Sequence, residues 1–580
     1  MRRPRPSVFI RLATSVPHPG QDALAAVVVT LMLIPQSLAY AMLAGLTAQA
    51  GLYASMLPLV AYAALGSSKT LAVGPVAIIS LMTAEALGGL GLTDMGSYAA
   101  AAMVLALLSG AMLMLMGLLR LGEAANFISH PVIGGFLAAS ALLIGVGQVR
   151  HIAGIEAKGS GFVDQIATLA FNVDSTHGAT LAIGIAVLLV LMGAKFASPR
   201  LQDRPAWVRA MPRFAPILGV GASILVTLAF DLDARGVAVV GDVPRILPTL
   251  AVPTLDPDLV SQLLLPALAI ALVGFVETVS VAQTLAAKRR ETVDPDRELL
   301  GLGAANIAAG VSGGFPVTGG LSRSAVAFEA GARTRLTGVL TAFGIALVAA
   351  FLTPALKALP IATLAATIIV AVASLIDLGI VRRAARYAKS DLTTLLVTFA
   401  ATLIVGVVEG LAAGILLSLA LHLHRSSRPH MAIVGQVPGT EHFRNVRRHD
   451  VNLCPDTLSL RVDESLFFAN ARGLEATVLA LVADNPGLRC FILVCPAINS
   501  IDMSALESLE RINAALKDAG VTLHMSEVKG PVMDRLNRVG FADDLSGQVF
   551  LTQLDAVRHC RQDARAATPA SASKAATATP

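Results

Sequence analysis

The chain has 580 residues, 55% of them hydrophobic and only 14% charged, with a mean hydropathy of +0.71. A soluble globular chain carries about 25% charged residues; this one has too much apolar surface for a single water-soluble core and reads as a polytopic α-helical membrane protein. The net charge of +5 does not point to nucleic acid, because the basic residues sit in short loops between apolar runs, where they set orientation in a bilayer.

Residues 1–20, MRRPRPSVFIRLATSVPHPG, are basic and lack a small-residue cleavage site after a short apolar core, so they read as a cytosolic lead-in. Apolar stretches of spanning length follow near 22–43, 51–65, 96–119, 126–148, 179–196, 214–230, 262–287, 336–353, 360–376, 391–408 and 410–424. Three shorter stretches, near 74–90, 301–313 and 320–331, are interrupted by Gly and Pro and bring the segments to fourteen. Fourteen alternating crossings place every strongly basic loop on one side: Lys69, Arg120, the run from Lys195 through Arg204 to Arg213, Lys288 to Arg290, Arg333 with Arg335, Arg382 to Lys389, and Arg425 with Arg428. The acidic loop with Asp231, Asp233, Asp242, Asp256 and Asp258 falls on the other.

The transporter region, 21–428, reads as two seven-segment repeats, about 21–232 and 258–428. Segment one carries IPQSLAYAMLAGL and segment eight FVETVSVAQTLAA; each is followed, some 40 to 45 residues on, by an interrupted segment, Leu71 to Ser80 and Gly313 to Ala325. Seven is odd, so the second copy enters from the opposite face. An inverted repeat with broken helices in matching places points to the binding site.

Residues 440–560 read as a soluble α/β domain. DTLSLRVDESLFFA, CFILVCP and GVTLHMSEV have strand patterns; ARGLEATVLALVAD, SALESLERINAALKDAG and GPVMDRLNRVG have amphipathic helical ones. The low-complexity tail, 564–580, reads as disordered. All four cysteines (Cys454, Cys490, Cys495, Cys560) lie in this region at spacings that match no zinc pattern, so free thiols in a reducing cytosol are expected. GSSKT at Gly66 to Thr70 lacks the glycine before the lysine that a phosphate loop needs, and GLGAAN at Gly301 follows no strand of a βαβ unit. No ATP, metal or cofactor motif is read, and no enzyme.

Two charges stand inside apolar runs, Glu277 and Arg323. A charge at membrane depth is costly and marks an ion or substrate path, unless it snorkels from a helix end. VGP at Val73 to Pro75 and GGFPVTGG at Gly313 to Gly320 lead into helices opened by Val76 and Ala77 in one case and by Leu321, Ser322 and Arg323 in the other. The topology turns those two N-termini toward each other near the midplane, where free amides and positive dipole ends bind anions. Arg323 adds a permanent charge with a planar fork suited to an oxyanion. Gln36 and Tyr40 share one face of segment one and either wall the ligand or bond between helices. Glu277 holds on segment eight the place of Gln36 on segment one; it either exchanges a proton as the anion arrives or forms a fixed salt bridge to Arg323.

These residues resemble the sulfate permease (SulP) family of anion transporters, through IPQSLAYAMLAGL, GLYASMLPLVAYAALGSSKTLAVGPVA, VGFVETVSVAQTLAAKRR and GGLSRSAV, and the C-terminal region resembles a STAS domain. The likeness covers roughly residues 20–555, with one departure, Ala50, where the signature has Tyr. The resemblance implies a seven-plus-seven fold with core and gate domains, a homodimer, elevator-like movement, and transport of sulfate, bicarbonate, halides or dicarboxylates. It implies that Gln36, Tyr40, Ser322 and Arg323 line the anion site and that Glu277 is the acidic residue of proton-coupled members. Sodium-coupled members tend to have Asp there with Thr four on, where this chain has Val281. In IDMSA, Ser504 matches a phosphorylatable serine of related anti-sigma-factor antagonists, preceded by Asp502; a structural loop serine is the other reading. The expectation is therefore an inner-membrane secondary transporter with both termini cytoplasmic, taking up sulfate or a similar divalent oxyanion with protons. A dicarboxylate or bicarbonate carrier and a membrane-anchored STAS signalling protein are the alternatives.

Overall fold

A computed structural model of the chain describes residues 19–92, 94–123, 128–155, 161–200, 206–241 and 247–566. The lead-in through residue 18, the tail from residue 567, and the loop residues Arg204 and Asp242 lie outside them. The chain divides into two compact units, 1–418 and 419–580.

The first unit is helical, with α1 (Pro19–Leu43), α2 (Ala48–Tyr53), α3 (Leu57–Leu65), α4 (Ala77–Gly88), α5 (Met95–Leu118), α6 (His130–Ala153), α7 (Phe162–Phe171), α8 (Gly178–Arg200), α9 (Ala206–Phe230), α10 (Pro257–Arg289), α11 (Pro295–Val311), α12 (Leu321–Glu329), α13 (Leu336–Phe351), α14 (Thr353–Leu356), α15 (Ile361–Val372), α16 (Leu378–Tyr387), α17 (Lys389–Ile404) and the first part of α18 (Val407–Ser427), which runs on past residue 418. Two short strands, β1 (Val73–Gly74) and β2 (Thr318–Gly319), precede α4 and α12. Each of the fourteen expected segments contains a helix, the second being split into α2 and α3. Seven helices among the described residues are long and apolar enough to cross a membrane. The apolar runs have no place for α7 and α16, which are short and two-faced: α7 buries no residue and α16 only Ala384. The repeat shows in the order of parts. Helices, an extended strand and a half-helix run from α1 to α4 and again from α10 to α12, with Pro35 inside α1 and Pro266 inside α10.

Hydrocarbon gives helices no hydrophobic reason to associate, so close packing must. Between α5 and α11 it comes from glycines seven apart on both helices. A Cβ on Gly110 would lie 2.7 Å from the Ile307 nitrogen, and one on Gly310 2.8 Å from the Met103 carbonyl oxygen.

Buried carboxylates tie the loops. Glu298, fully buried, accepts from Tyr62 Oη (2.6 Å), Ser67 N (2.9 Å), Ser67 Oγ (2.6 Å) and Ser68 N (2.9 Å), fixing α11 to the turn after α3. Asp22, also buried, accepts from Arg333 N, Thr334 N and Oγ1, and Thr337 Oγ1, holding the start of α13 against α1. Glu298→Gln turns an NH₂ toward one set of those donors and is expected to cost about 2 kcal/mol or more. Thermal unfolding in detergent checks it: the midpoint should fall further than for Tyr62→Phe, which removes a single bond, and equal midpoints would discount the cluster.

The second unit is a six-stranded sheet, β3 (Met431–Gln436), β4 (Phe443–Asn445), β5 (Thr457–Val462), β6 (Cys490–Val494), β7 (Thr522–Ser526) and β8 (Val549–Phe550), in the order β4-β3-β5-β6-β7-β8. β5 to β8 are parallel, and β3 runs antiparallel to both neighbours. Its helices are α19 (Ala471–Ala483), α20 (Met503–Asp518), α21 (Gly530–Arg538), α22 (Phe541–Asp544) and α23 (Gln553–Ala566). Strand alternation splits the apolar residues between two faces. Leu458, Leu460, Phe491, Leu493, Leu523 and Met525 pack in one cluster with α20, while Ala432, Val434, Ile492 and Val494 meet Ala556 and Val557 of α23 in another. The three strands and three helices read from the sequence are present; β3, β4, β8, α22 and α23 are additional, β4, β8 and α22 being of two to four residues and α23 largely polar. The four cysteines are not all free. Cys490 and Cys560 are joined, 70 residues apart with Cα atoms 6.2 Å from each other, which no local spacing could reveal.

Candidate anion site

The two interrupted segments meet as an antiparallel pair, Val73 opposite Gly319 and Gly74 opposite Thr318. Each strand hands on at once to a helix: Val76 is the N-cap of α4 and Ala77 its first residue, Gly320 the N-cap of α12 and Leu321 its first residue. Antiparallel strands send the helices opposite ways, so both N-terminal ends border the crossing. Neither end is capped by a side chain, and first-turn amides have no partner within their helix. The sequence breaks the helices here because Pro75 and Pro316 cannot donate and glycine lets backbones approach. A Cβ on Gly319 would lie 2.9 Å from the Leu71 side chain, and one on Gly320 2.7 Å from Arg323 Nε.

Arg323 is 2% exposed. Its Nε donates to the Ala72 carbonyl (2.9 Å), Nη1 to Pro75 (2.7 Å), and Nη2 to Gly74 (2.7 Å) and Thr318 (2.9 Å). Four of about five N–H groups thus face protein carbonyls on both strands. The fork offered by the sequence to an oxyanion clamps the crossing in this structure, and leaves its charge there. Ser324, the next residue, accepts from Ala72 N (2.9 Å).

Glu277 lies on α10 with Oε2 buried and without a hydrogen-bond partner. No ion pair joins it to Arg323 among the described residues. Tyr40, Glu277 and Arg323 nevertheless stand close enough to interact electrostatically. Gln36 and Tyr40 are both buried, one turn apart on α1 just after Pro35. Leu321 is 51% exposed and Ser322 is exposed beside it, as are Ser280, Gln283 and Thr284, which share one face of the adjoining α10. Ser504 belongs to the second unit. It is exposed, the second residue of α20, beside the groove between α19 and α20, and Asp502 caps that helix by accepting from Ala505 N (2.8 Å).

Three supports of the crossing escaped the sequence reading. Thr278 and Thr318 bond hydroxyl to hydroxyl (2.9 Å), Thr318 Oγ1 donates to the Gly274 carbonyl (2.7 Å), and Gly319 N donates to Thr278 Oγ1 (3.0 Å), locking β2 to α10 beside Glu277. Asn306 donates to the Leu302 and Val317 carbonyls and accepts from Val317 N, so one amide holds the unwound backbone. A lone Asn in the apolar run of α11 was the available signal; a threonine on a membrane helix gives none. Gly320→Ala would drive a methyl against the guanidinium and is expected to lower uptake about tenfold or more, since small misplacements at a working site have large effects. Uptake by reconstituted protein at equal incorporation reads this, and a wild-type rate would show that the clamp tolerates displacement.

The model of the sulfate permease family matches residues 20–398, and that of the STAS domain residues 448–556. A protein of Mycobacterium tuberculosis named a probable sulfate transporter is 35% identical over 544 residues, covering 93% of this chain and 95% of that protein. Sulfate transporter 4.1, chloroplastic, of Arabidopsis thaliana is 34% identical, covering 93% and 80%. Among solved structures, the murine solute carrier 26 family member A9 anion transporter in the inward-facing state superposes with a TM-score of 0.87 at 20% identity, over 96% of this chain and 93% of that one. The transmembrane domain of a cyanobacterial bicarbonate transporter does so at 0.59 and 19%, over 70% and 98%. The interlocked half-helices thus stand within a chain that, by the family match and the relatives' identity over nearly its whole length, belongs to the sulfate permease family of anion transporters.

Proposed function

We propose that the chain is a secondary active transporter that takes up sulfate, or a similar divalent oxyanion, together with protons. The observation that carries this reading is the pair of uncapped helix N-termini bordering a crossing that holds buried Arg323, with an unpartnered oxygen of Glu277 nearby. The charge balance favours a divalent anion with a proton. Each N-terminus contributes about +0.5 elementary charge, which with Arg323 makes about +2 when Glu277 is neutral and about +1 when it is ionised. A doubly charged anion is matched in the first state only. With most of the guanidinium engaged, the first-turn amides of α4 (Val76, Ala77) and α12 (Leu321, Ser322) make the direct contacts, and Gln36 and Tyr40 wall the ligand. Relatives named sulfate transporters support sulfate as the anion.

The clamp unites both half-helices, which supports an elevator-type movement in which the site travels as one piece. The exposed stripe of Ser280, Gln283 and Thr284 then lines the aqueous approach. In this reading the protein works as a homodimer in the cell inner membrane with both termini cytoplasmic, and Ser504 is the candidate for phosphorylation on the STAS domain. The test is uptake by purified protein in proteoliposomes over sulfate, bicarbonate and dicarboxylates, with proton and sodium gradients imposed separately. Sulfate uptake driven by an inward proton gradient is expected. Bicarbonate or dicarboxylate flux without sulfate flux would move the substrate, and no flux of any anion would favour a signalling protein.

A further inference from the structure

The richest cluster of reactive groups away from the anion site lies in the second unit, where Cys490 of β6, His524 of β7 and Cys560 of α23 converge, all buried. A ring nitrogen of His524 and the two sulfurs lie within 4.8 Å of one another. Two chemistries suit such a group, a soft metal ion or sulfur–sulfur bonding, and the histidine decides between them. Its Nδ1 accepts from Gln548 N (3.0 Å), so the neutral ring carries its proton on Nε2. With Nδ1 taken up by that bond, the other ring nitrogen is a donor, so neither is free as a metal ligand. Burial holds the imidazole below its ordinary value, which keeps it neutral. An N–H beside a sulfur stabilises the thiolate, the form that attacks disulfides.

We propose that Cys490 and Cys560 are a redox-modifiable dithiol whose disulfide pins the outer half of α23 to the sheet. The Cα separation of 6.2 Å suits such a bond. The front of α23 is held independently: Gln553 accepts from Ser526 Oγ (2.6 Å) and donates to Ser459 Oγ (2.8 Å), and Ala556 and Val557 are buried. Past Cys560, Arg561, Gln562 and Asp563 are exposed, so opening the bond loosens that end while the front stays seated. A small reagent reaches the sulfurs through an open cavity of about 350 Å³ lined by Asp456, Arg489, Cys490, His524 and Cys560. The oxidant is a low-molecular-weight disulfide. One thiolate attacks it, forming a mixed disulfide and releasing a thiol; the second cysteine attacks the mixed disulfide and releases the other thiol. The protein thereby loses two electrons and two protons, and the reagent is reduced to two thiols. Of the remaining cysteines, Cys495 is buried with its thiol pushed well up by burial and serves as the internal control, while Cys454 accepts from Arg561 Nε (2.8 Å) and is read as a single thiol open to a mixed disulfide.

The test equilibrates the full-length protein in detergent across ratios of reduced to oxidised glutathione, traps free thiols with an alkylating reagent, and reads each cysteine by peptide mass spectrometry. Cys490 and Cys560 should lose alkylation together as the ratio turns oxidising, with a peptide joining them, whereas any loss at Cys454 should appear as a mixed disulfide with glutathione. Hydrogen exchange at the end of α23 should slow at least tenfold on oxidation, and Cys560→Ser should abolish that change. If the Ser variant does not fold, the wild-type alkylation curves decide alone. Independent titration of the two sulfurs, a joined peptide containing Cys454, or one zinc ion retained by the reduced protein with both thiols protected would each overturn the proposal.

Discussion

Arg323→Ala is expected to lower sulfate uptake by about a hundredfold or more, and Arg323→Lys to recover little of it. A site that needed only a positive charge would be rescued by lysine. Here the guanidinium also donates to four carbonyls, of Ala72, Gly74, Pro75 and Thr318, where the helices are interrupted, and that of Ala72 accepts in addition from a backbone amide, Gly320 N (3.2 Å). An ammonium is a point charge with three donors and cannot span both strands. Removing the side chain leaves buried acceptors unmatched, at about 1–3 kcal/mol each. The measurement is initial uptake in proteoliposomes together with the unfolding midpoint in detergent, which separates a lost site from a lost fold. Full rescue by Arg323→Lys would reduce the role of Arg323 to charge alone.

Glu277→Gln should keep anion binding and abolish accumulation driven by a pH gradient. A divalent anion entering alone moves two negative charges against an inside-negative potential, at about 2.3 kcal/mol per charge per 100 mV. That opposition is on the order of a thousandfold in concentration at 100 mV, so uptake needs accompanying cations. Glu277 has an unpartnered oxygen and interacts with both Tyr40 and Arg323, which makes it the carrier best placed to sense the anion. Glutamine fixes the neutral state, so under the proposed coupling the site stays matched to a divalent anion but no proton is released inside. Sulfate binding in detergent should stay within a few-fold of wild type while the response to an imposed proton gradient disappears. A glutamine variant that still concentrates sulfate under that gradient would assign the proton to another group.

What the sequence disclosed about the site followed from cost. Glu277 and Arg323 stood out because a charge in an apolar run demands a reason, and the interrupted segments stood out because Pro and Gly have no place in a plain spanning helix. What it concealed was partnership. The carbonyls that hold Arg323 lie about 250 residues away on Ala72, Gly74 and Pro75, and a carbonyl has no letter of its own. Thr278 and Thr318 read as tolerable membrane residues, yet their hydroxyl pair fastens β2 to α10. In the second unit, β6 was legible because it is apolar on both faces, and β5 and β7 because apolar residues alternate with polar ones along them. β8, with two residues at the sheet's edge, and α23, polar on its outer side, were not. The join between Cys490 and Cys560 depends on a helix brought back over 70 residues and could come only from the fold.

The pairing of β1 with β2 also bears on how the chain is made. Arg323 follows Ala72 by 251 residues. At a synthesis rate of about 5–20 residues per second, the first interrupted segment waits roughly 12–50 s for its partner. During that interval the Ala72, Gly74 and Pro75 carbonyls lack the guanidinium that will satisfy them, and Val73 and Gly74 lack the opposing strand. The nascent first repeat is therefore a client for any factor that shelters unpaired backbone in the bilayer, and a ribosome stalled before Thr318 leaves a product that no later rearrangement of its own can complete.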